Sequence, residues 1–225
     1  MNAAARTRTF GALVRDVAAC RGCERMAYAH VLGAANGPLD ARVLFVAEAV
    51  GRHGGAITGV PLTHDESGKR FEAFLALAGI ARDEIFVTNA VLCNPLDGAG
   101  RNRAPAATEI ARCRPFLSRT LDLVRAPVVV ALGRVALESL RAVAPHDAAL
   151  ACNVATSVAW HGRQLVPMYH PSRQSTLHRP DEQQRADWLR LGTVVRKLER
   201  DRMIDERHEG QAAAVVASAR PPSAG

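Results

Sequence analysis

The sequence predicts a three-layer α/β/α domain with a central four-stranded parallel sheet, and three observations carry that expectation. Apolar runs at 43–47, 85–88, 128–132 and 165–169 have the length of buried strands and are too short for helices. Stretches of helical period separate them, the alternation that gives a parallel sheet with helices on both faces. Residues of unusual chemistry follow the apolar runs directly, and in such sheets ligands gather beyond the carboxyl ends of the strands.

Each helix has its own signature. Phe71, Phe74, Leu75 and Ala78 keep i, i+3, i+4, i+7 spacing, with Ser67 as the cap before them and Gly79 as the stop. Ile110, Cys113, Leu117 and Val124 mark a second helix that opens near Pro105 or Thr108. A third starts after Gly133 and runs through Leu137 and Leu140, and a charged amphipathic fourth covers about 182–199.

The chain has 225 residues, 48% of them hydrophobic, enough for one sizeable core, so 1–205 reads as a single domain. The remainder, 206–225, turns to Ala, Ser, Pro and Gly and is expected to be a disordered tail. No apolar run approaches the roughly 20 residues of a membrane helix, and the N-terminus lacks the apolar stretch of a signal peptide. The expected location is therefore the cytoplasm, with no membrane partner. Twenty-nine basic against 22 acidic residues give a net charge of +7, which suits a polyanionic partner where the charge gathers on one face and otherwise reads as a solvated basic surface.

Cys20 and Cys23 form a C-x-x-C pair, and Cys93 and Cys113 stand far downstream. In a reducing compartment such a set suits thiolate ligation of a metal better than disulfides. Tetrahedral sulfur fits structural zinc or a 4Fe-4S cluster. Zinc ribbons join two compact knuckles, and the wide separation of Cys93 from Cys113 favours the cluster. Cys152 reads as a small buried core residue.

The order of several short motifs resembles the uracil-DNA glycosylase superfamily: C-x-x-C, a glycine-rich loop after the first strand, Thr88-Asn89-Ala90-Val91-Leu92-Cys93, Cys113-Arg114-Pro115-Phe116-Leu117, and His170-Pro171-Ser172 after the last strand. The similarity spans roughly 20–176 and is greatest to the iron-sulfur branches, type B more than type A. It implies a DNA glycosylase that hydrolyses the bond between uracil, or another deaminated base, and deoxyribose to begin base-excision repair. The implied partner is uracil-containing DNA, single or double stranded, met by a monomer. The implied cofactor is a 4Fe-4S cluster on Cys20, Cys23, Cys93 and Cys113.

The resemblance also implies roles that residue chemistry supports. Asn89 offers a donor and an acceptor that match the O4 and N3–H edge of uracil. A neutral His170 donates to the departing base, and Asp65 orients water and stabilises the positive charge on the sugar. Glu48 matches the glutamate of the type A motif and is the auxiliary carboxylate. Ala49, Gly51 and Leu62 belong to the pocket loops, and Ser172 and Arg173 are placed against phosphate. Arg101 and Arg103 divide evenly between phosphate contact and solvated loop charge. Bland readings compete: Asp65 as a helix cap, Glu48 paired to an arginine, and His170 as a satisfied strand terminus.

Two positions depart from the family pattern. Leu62 stands where both branches usually carry a phenylalanine that stacks on the flipped base, a contact of about 1 to 3 kcal/mol. Val50 replaces an expected proline. Those departures keep open a second reading, a catalytically inactive iron-sulfur or zinc nucleic-acid-binding protein of the same fold.

Overall fold

The computed structural model describes residues 1–218, with side chains through Met203. In chain order the elements are α1 (Ala3–Ala19), β1 (Met26–Ala27), β2 (Val43–Ala49), α2 (Gly55–Thr58), α3 (Glu66–Ala78), β3 (Ile85–Val91), β4 (Asn94–Pro95), α4 (Ala107–Leu123), β5 (Val128–Leu132), α5 (Arg134–Arg141), α6 (Leu150–Asn153), β6 (Val158–Trp160), β7 (Arg163–Met168) and α7 (Asp181–Ser218). The central sheet has five strands in the order β3-β2-β5-β7-β6, not the four expected. Strands β3, β2, β5 and β7 run parallel through three pairings, and β6 adds an antiparallel edge to β7. Three residues ending in a turn at His161 and Gly162 are too few for an alternation signal, which is why this edge is invisible in the sequence.

The two faces of the sheet are sealed by different helices. On one, Phe10, Leu13 and Val17 of α1, Leu117 and Leu121 of α4, and Leu137 and Leu140 of α5 cover Leu44, Val46, Phe86 and Val129. On the other, Phe71, Phe74 and Leu75 of α3 and Trp188, Leu191 and Val195 of α7 cover Val43, Phe45, Val87 and Val130. Trp188 holds that second layer together, with its ring 5.8 Å from Phe45 and 5.4 Å from Phe74 in stacked geometry. The strands therefore read as continuous apolar runs because both of their faces are buried.

Several expectations shift at their edges. The strand expected at 85–88 extends to Val91, so Asn89 lies within β3 and not after it. The strand expected at 165–169 starts at Arg163 and stops at Met168. The cap of α3 is Asp65 and not Ser67, because the Asp65 carboxylate accepts from the Gly68 N–H while Ser67 lies within the helix. Helix α1 was not read from the sequence, although Phe10, Leu13, Val14 and Val17 carry its period. Cys152 is exposed, not buried, because α6 is a single turn outside the packed layers. The backbone of the expected tail, 206–225, is helical as far as Ser218, where alanines of high helix propensity crowd the sequence, and 219–225 lie outside the described residues. Among the described residues no helix is long and apolar enough to cross a membrane.

Candidate active site

The carboxyl ends of β2, β3, β5 and β7 open into one cavity of about 420 Å³. Glu48, Ala49 and Gly51 line it from the end of β2, Asn89 from β3, and His170 and Ser172 from the segment after β7. Leu62 and Asp65 close it from the loop that leads into α3. Residues separated by more than 100 positions thus meet in one hollow because the parallel strands end on the same side of the sheet. Arg173 is the exception, since it is exposed and does not line the cavity.

Asp65 is held by the glycine-rich loop as much as by its own helix. One carboxylate oxygen accepts the Gly68 N–H at 2.8 Å, and the other lies against Gly51 and Gly54. A β-carbon at Gly54 would sit 2.6 Å from Oδ2, so a side chain there and the present Asp65 position exclude one another. The approach to Asp65 is itself constrained, with Leu62 at φ 50° and His64 at φ 72° in the left-handed region that non-glycine residues rarely occupy. Gly68 has the backbone of Thr63 directly above it, where an added β-carbon would lie 2.6 Å from Thr63 Cα. Gly68→Ala is therefore expected to displace the 62–65 turn and to lower stability by about 1 to 3 kcal/mol, the usual range for overpacking, measurable by urea unfolding.

His170 packs behind by Gly133, where a β-carbon would come within 3.5 Å of His170 Cβ. Burial pushes the imidazole down to about 4, opposed only in part by the nearby Asp65 carboxylate, so His170 is neutral near pH 7. Burial likewise raises Glu48, and the Arg134 guanidinium counteracts it. Asn89 is 3% exposed on a strand buried along its length, and its carboxamide has no hydrogen-bond partner within the described protein.

The remaining polar candidates divide. Ser172 caps the 3₁₀ turn Arg173–Leu177, with its hydroxyl 3.3 Å from the Ser175 N–H. Arg103 is taken up inside the protein, paired with Glu109 at 2.6 Å and donating to the Leu96 carbonyl. Arg101 pairs with Asp97 at 2.9 Å on the surface. Among the lining residues that the sequence reading gave no role are Tyr169, Asn94, Asn102 and Arg134. Tyr169 could have been found from its place beside His170. Asn94 carries no signal, because its importance lies in contacts across the fold. Leu177, which does not line the cavity, is 81% exposed on the turn that Ser172 begins.

The cysteine quartet lies at the β3 side of this cavity. Cys20 ends α1, Cys93 follows β3, Cys113 sits in α4, and pairing of β1 with β4 brings the C-x-x-C loop against the Cys93 segment. All four are free thiols. Burial first, then the neighbouring Cys113, Cys20 and Cys23, raises Cys93 to about 12, and burial raises Cys113 to about 11 despite a bond from the Leu92 N–H. The four sulfurs therefore sense one another across a partly buried space. Yet no group of three His, Cys, Asp or Glu among the described residues is arranged to hold a metal ion. Four cysteine thiols are the donor set that either a structural zinc or a 4Fe-4S cluster would take. The surrounding loop is tied down by Tyr28, which donates to the Cys23 carbonyl, by Arg112, which donates to Gly22, and by His30 against the Cys20 carbonyl at 3.1 Å.

A family model described as the uracil DNA glycosylase superfamily matches residues 34–191, which include all of the cavity lining except Val31. The Type-4 uracil-DNA glycosylase of Archaeoglobus fulgidus is 28% identical over 194 residues, covering 82% of this chain and 92% of its own. The Type-4 enzyme of Thermotoga maritima is 31% identical, with 60% of this chain and 67% of its own covered. The Type-5 uracil-DNA glycosylase of Thermus thermophilus is 32% identical over 62% of this chain and 68% of its own. With the family match spanning most of the chain and both Type-4 and Type-5 uracil-DNA glycosylases among its relatives, the protein belongs to the uracil-DNA glycosylase superfamily.

Proposed function

We propose that the protein is a uracil-DNA glycosylase that hydrolyses the N-glycosidic bond of uracil in DNA and so opens base-excision repair. The observation that carries this reading is the cavity in which a neutral His170, the unpartnered carboxamide of Asn89 and the Asp65 carboxylate face a common space. An extruded base offers what each lacks. Asn89 donates to O4 and accepts from N3–H, a pairing that the reversed pattern of cytosine cannot satisfy.

As the bond between N1 and C1′ breaks, positive charge grows on the sugar and negative charge on the uracil. Asp65, held rigid by Gly68 and the glycine loop, stabilises the sugar and orients the water that adds to C1′. His170 donates to O2 of the leaving anion, and its neutrality lets it gain interaction as charge develops. The attacking water ends as the C1′ hydroxyl, and its released proton balances the charge of the departing base. Glu48, half-buried beside Arg134, lines the cavity as an auxiliary carboxylate.

DNA reaches the site with its backbone near Ser172 and Arg173, and the exposed Leu177 supplies an apolar wedge for the vacated stack. Cys20, Cys23, Cys93 and Cys113 hold a 4Fe-4S cluster with a structural role, which joins the C-x-x-C loop to the segment after β3. The reading takes the protein as a monomer.

Incubation with a uracil-containing oligonucleotide followed by alkali tests the reading. Strand scission at uracil by a brown protein that carries iron and sulfide is the expected result. Absence of scission on uracil, hypoxanthine and xanthine, in single and double strands, would instead favour a nucleic-acid-binding protein that has lost catalysis.

A further inference from the structure

The cavity wall formed by 49–51 is not supported by its own strand alone. Val50 donates its N–H to the Cys93 carbonyl at 3.3 Å, and its own carbonyl accepts from Asn94 Nδ2 at 2.7 Å. The same Nδ2 donates to Asn102 Oδ1 at 3.0 Å, and that oxygen also accepts the Arg52 N–H at 3.3 Å. The orientation of the Asn94 carboxamide is therefore fixed, because the end that meets two acceptor oxygens must be the nitrogen. Asn94 is 1% exposed, borders the cavity, and leaves its Oδ1 buried without a partner. Its backbone pairs with Ala27 between the two short strands that bring the C-x-x-C loop to Cys93.

We propose that Asn94 is a positioning residue, which transmits the register of the cysteine-bearing segment to the wall of the nucleobase cavity through the Val50 carbonyl. One side chain spans three loops: the segment of Cys93, the glycine-rich loop at Val50 to Arg52, and the loop of Asn102. An exposed loop held at these points keeps a hollow of fixed shape, whereas the loop alone would have to be ordered by each incoming base. The proposal rests on the glycosylase reading only in taking the cavity as the base pocket. A shift of about 1 Å in such a wall is enough to change turnover by up to about 100-fold.

The test uses the full-length, iron-containing protein and Asn94→Asp, which preserves shape but turns a carboxylate oxygen toward the Val50 and Asn102 oxygens. Expected are unchanged iron content and visible absorption, amide exchange in peptides covering 48–55 at least about tenfold faster, and kcat/KM on a uracil oligonucleotide about 10- to 100-fold lower, carried by KM more than by kcat. Asn102→Ala, at an exposed position, removes one of the two acceptors and is expected to loosen 48–55 by a smaller factor in the same direction. Wild-type exchange at 48–55 in either variant with its iron intact would overturn the proposal. Exchange does not depend on turnover, so a wild type that fails to cleave uracil would sink the glycosylase reading while leaving this result interpretable.

Discussion

Asp65→Asn is expected to lower the single-turnover rate on uracil DNA by about 10²- to 10⁴-fold, the range associated with a positioned acid or base group, while leaving the unfolding midpoint nearly unchanged. The separation of those two effects follows from the geometry. Asp65 caps α3 through the Gly68 N–H, and asparagine caps a helix as well as aspartate does. A residue that served only as a cap would therefore tolerate this substitution in both readouts. The charge facing the cavity is what asparagine removes. Glu48→Gln should reduce the rate by less than about tenfold, since burial already weakens the charged form of Glu48. A rate lost in Glu48→Gln and kept in Asp65→Asn would exchange the two roles.

His170→Gln is expected to cost about 10²- to 10³-fold in kcat, the usual loss for one donor to a developing anion. The pH dependence identifies the donor's state. Because burial holds His170 down to about 4, it stays neutral through the range in which an ordinary histidine gains its proton, and kcat/KM should not fall on its account until the pH nears 4. Stability has the corresponding sign. Between about 4 and the ordinary histidine value of 6.5 the unfolded chain binds the proton and the folded chain does not, so stability rises with pH through that window and the contribution is complete above it. His170→Gln should flatten that part of the pH profile of urea unfolding. An imidazole titrating near 6.5 by NMR in the folded protein would contradict the assignment.

Much of the architecture was legible because the strands are buried on both faces. The runs containing Val43, Ile85, Val128 and Leu165 are apolar along most of their length, with Thr88 the polar residue in the second, and all four became parallel strands. What failed depended on contacts that no local window contains. Asp65, a competing cap in the sequence, takes the Gly68 amide in place of Ser67, at the end of a turn with Leu62 and His64 in the left-handed region. Strand β6 has three residues, which borrow their order from β7.

The site was legible for a different reason. Asn89 and His170 follow or end apolar runs, so strand direction alone places them at one edge. Arg103 could not be sorted from Arg101 by sequence, since the distinction is the buried Glu109 that claims one of them. The glycines that shape the Asp65 carboxylate, Gly54 and Gly68, received no individual role from the sequence, and their tight approaches to Asp65 and Thr63 emerge only in three dimensions. Asn94 adds a further case: an ordinary residue after a cysteine, made consequential by the carbonyl of Val50.

The most direct test of a common base site is a crystal structure of the protein soaked with uracil. Uracil in the cavity, with its O4 and N3–H edge on the Asn89 carboxamide, its O2 facing His170 and its N1 directed toward Asp65, is the expected result. Uracil bound elsewhere, or a cavity in which Asn89 and His170 contact no shared ring, would contradict the account.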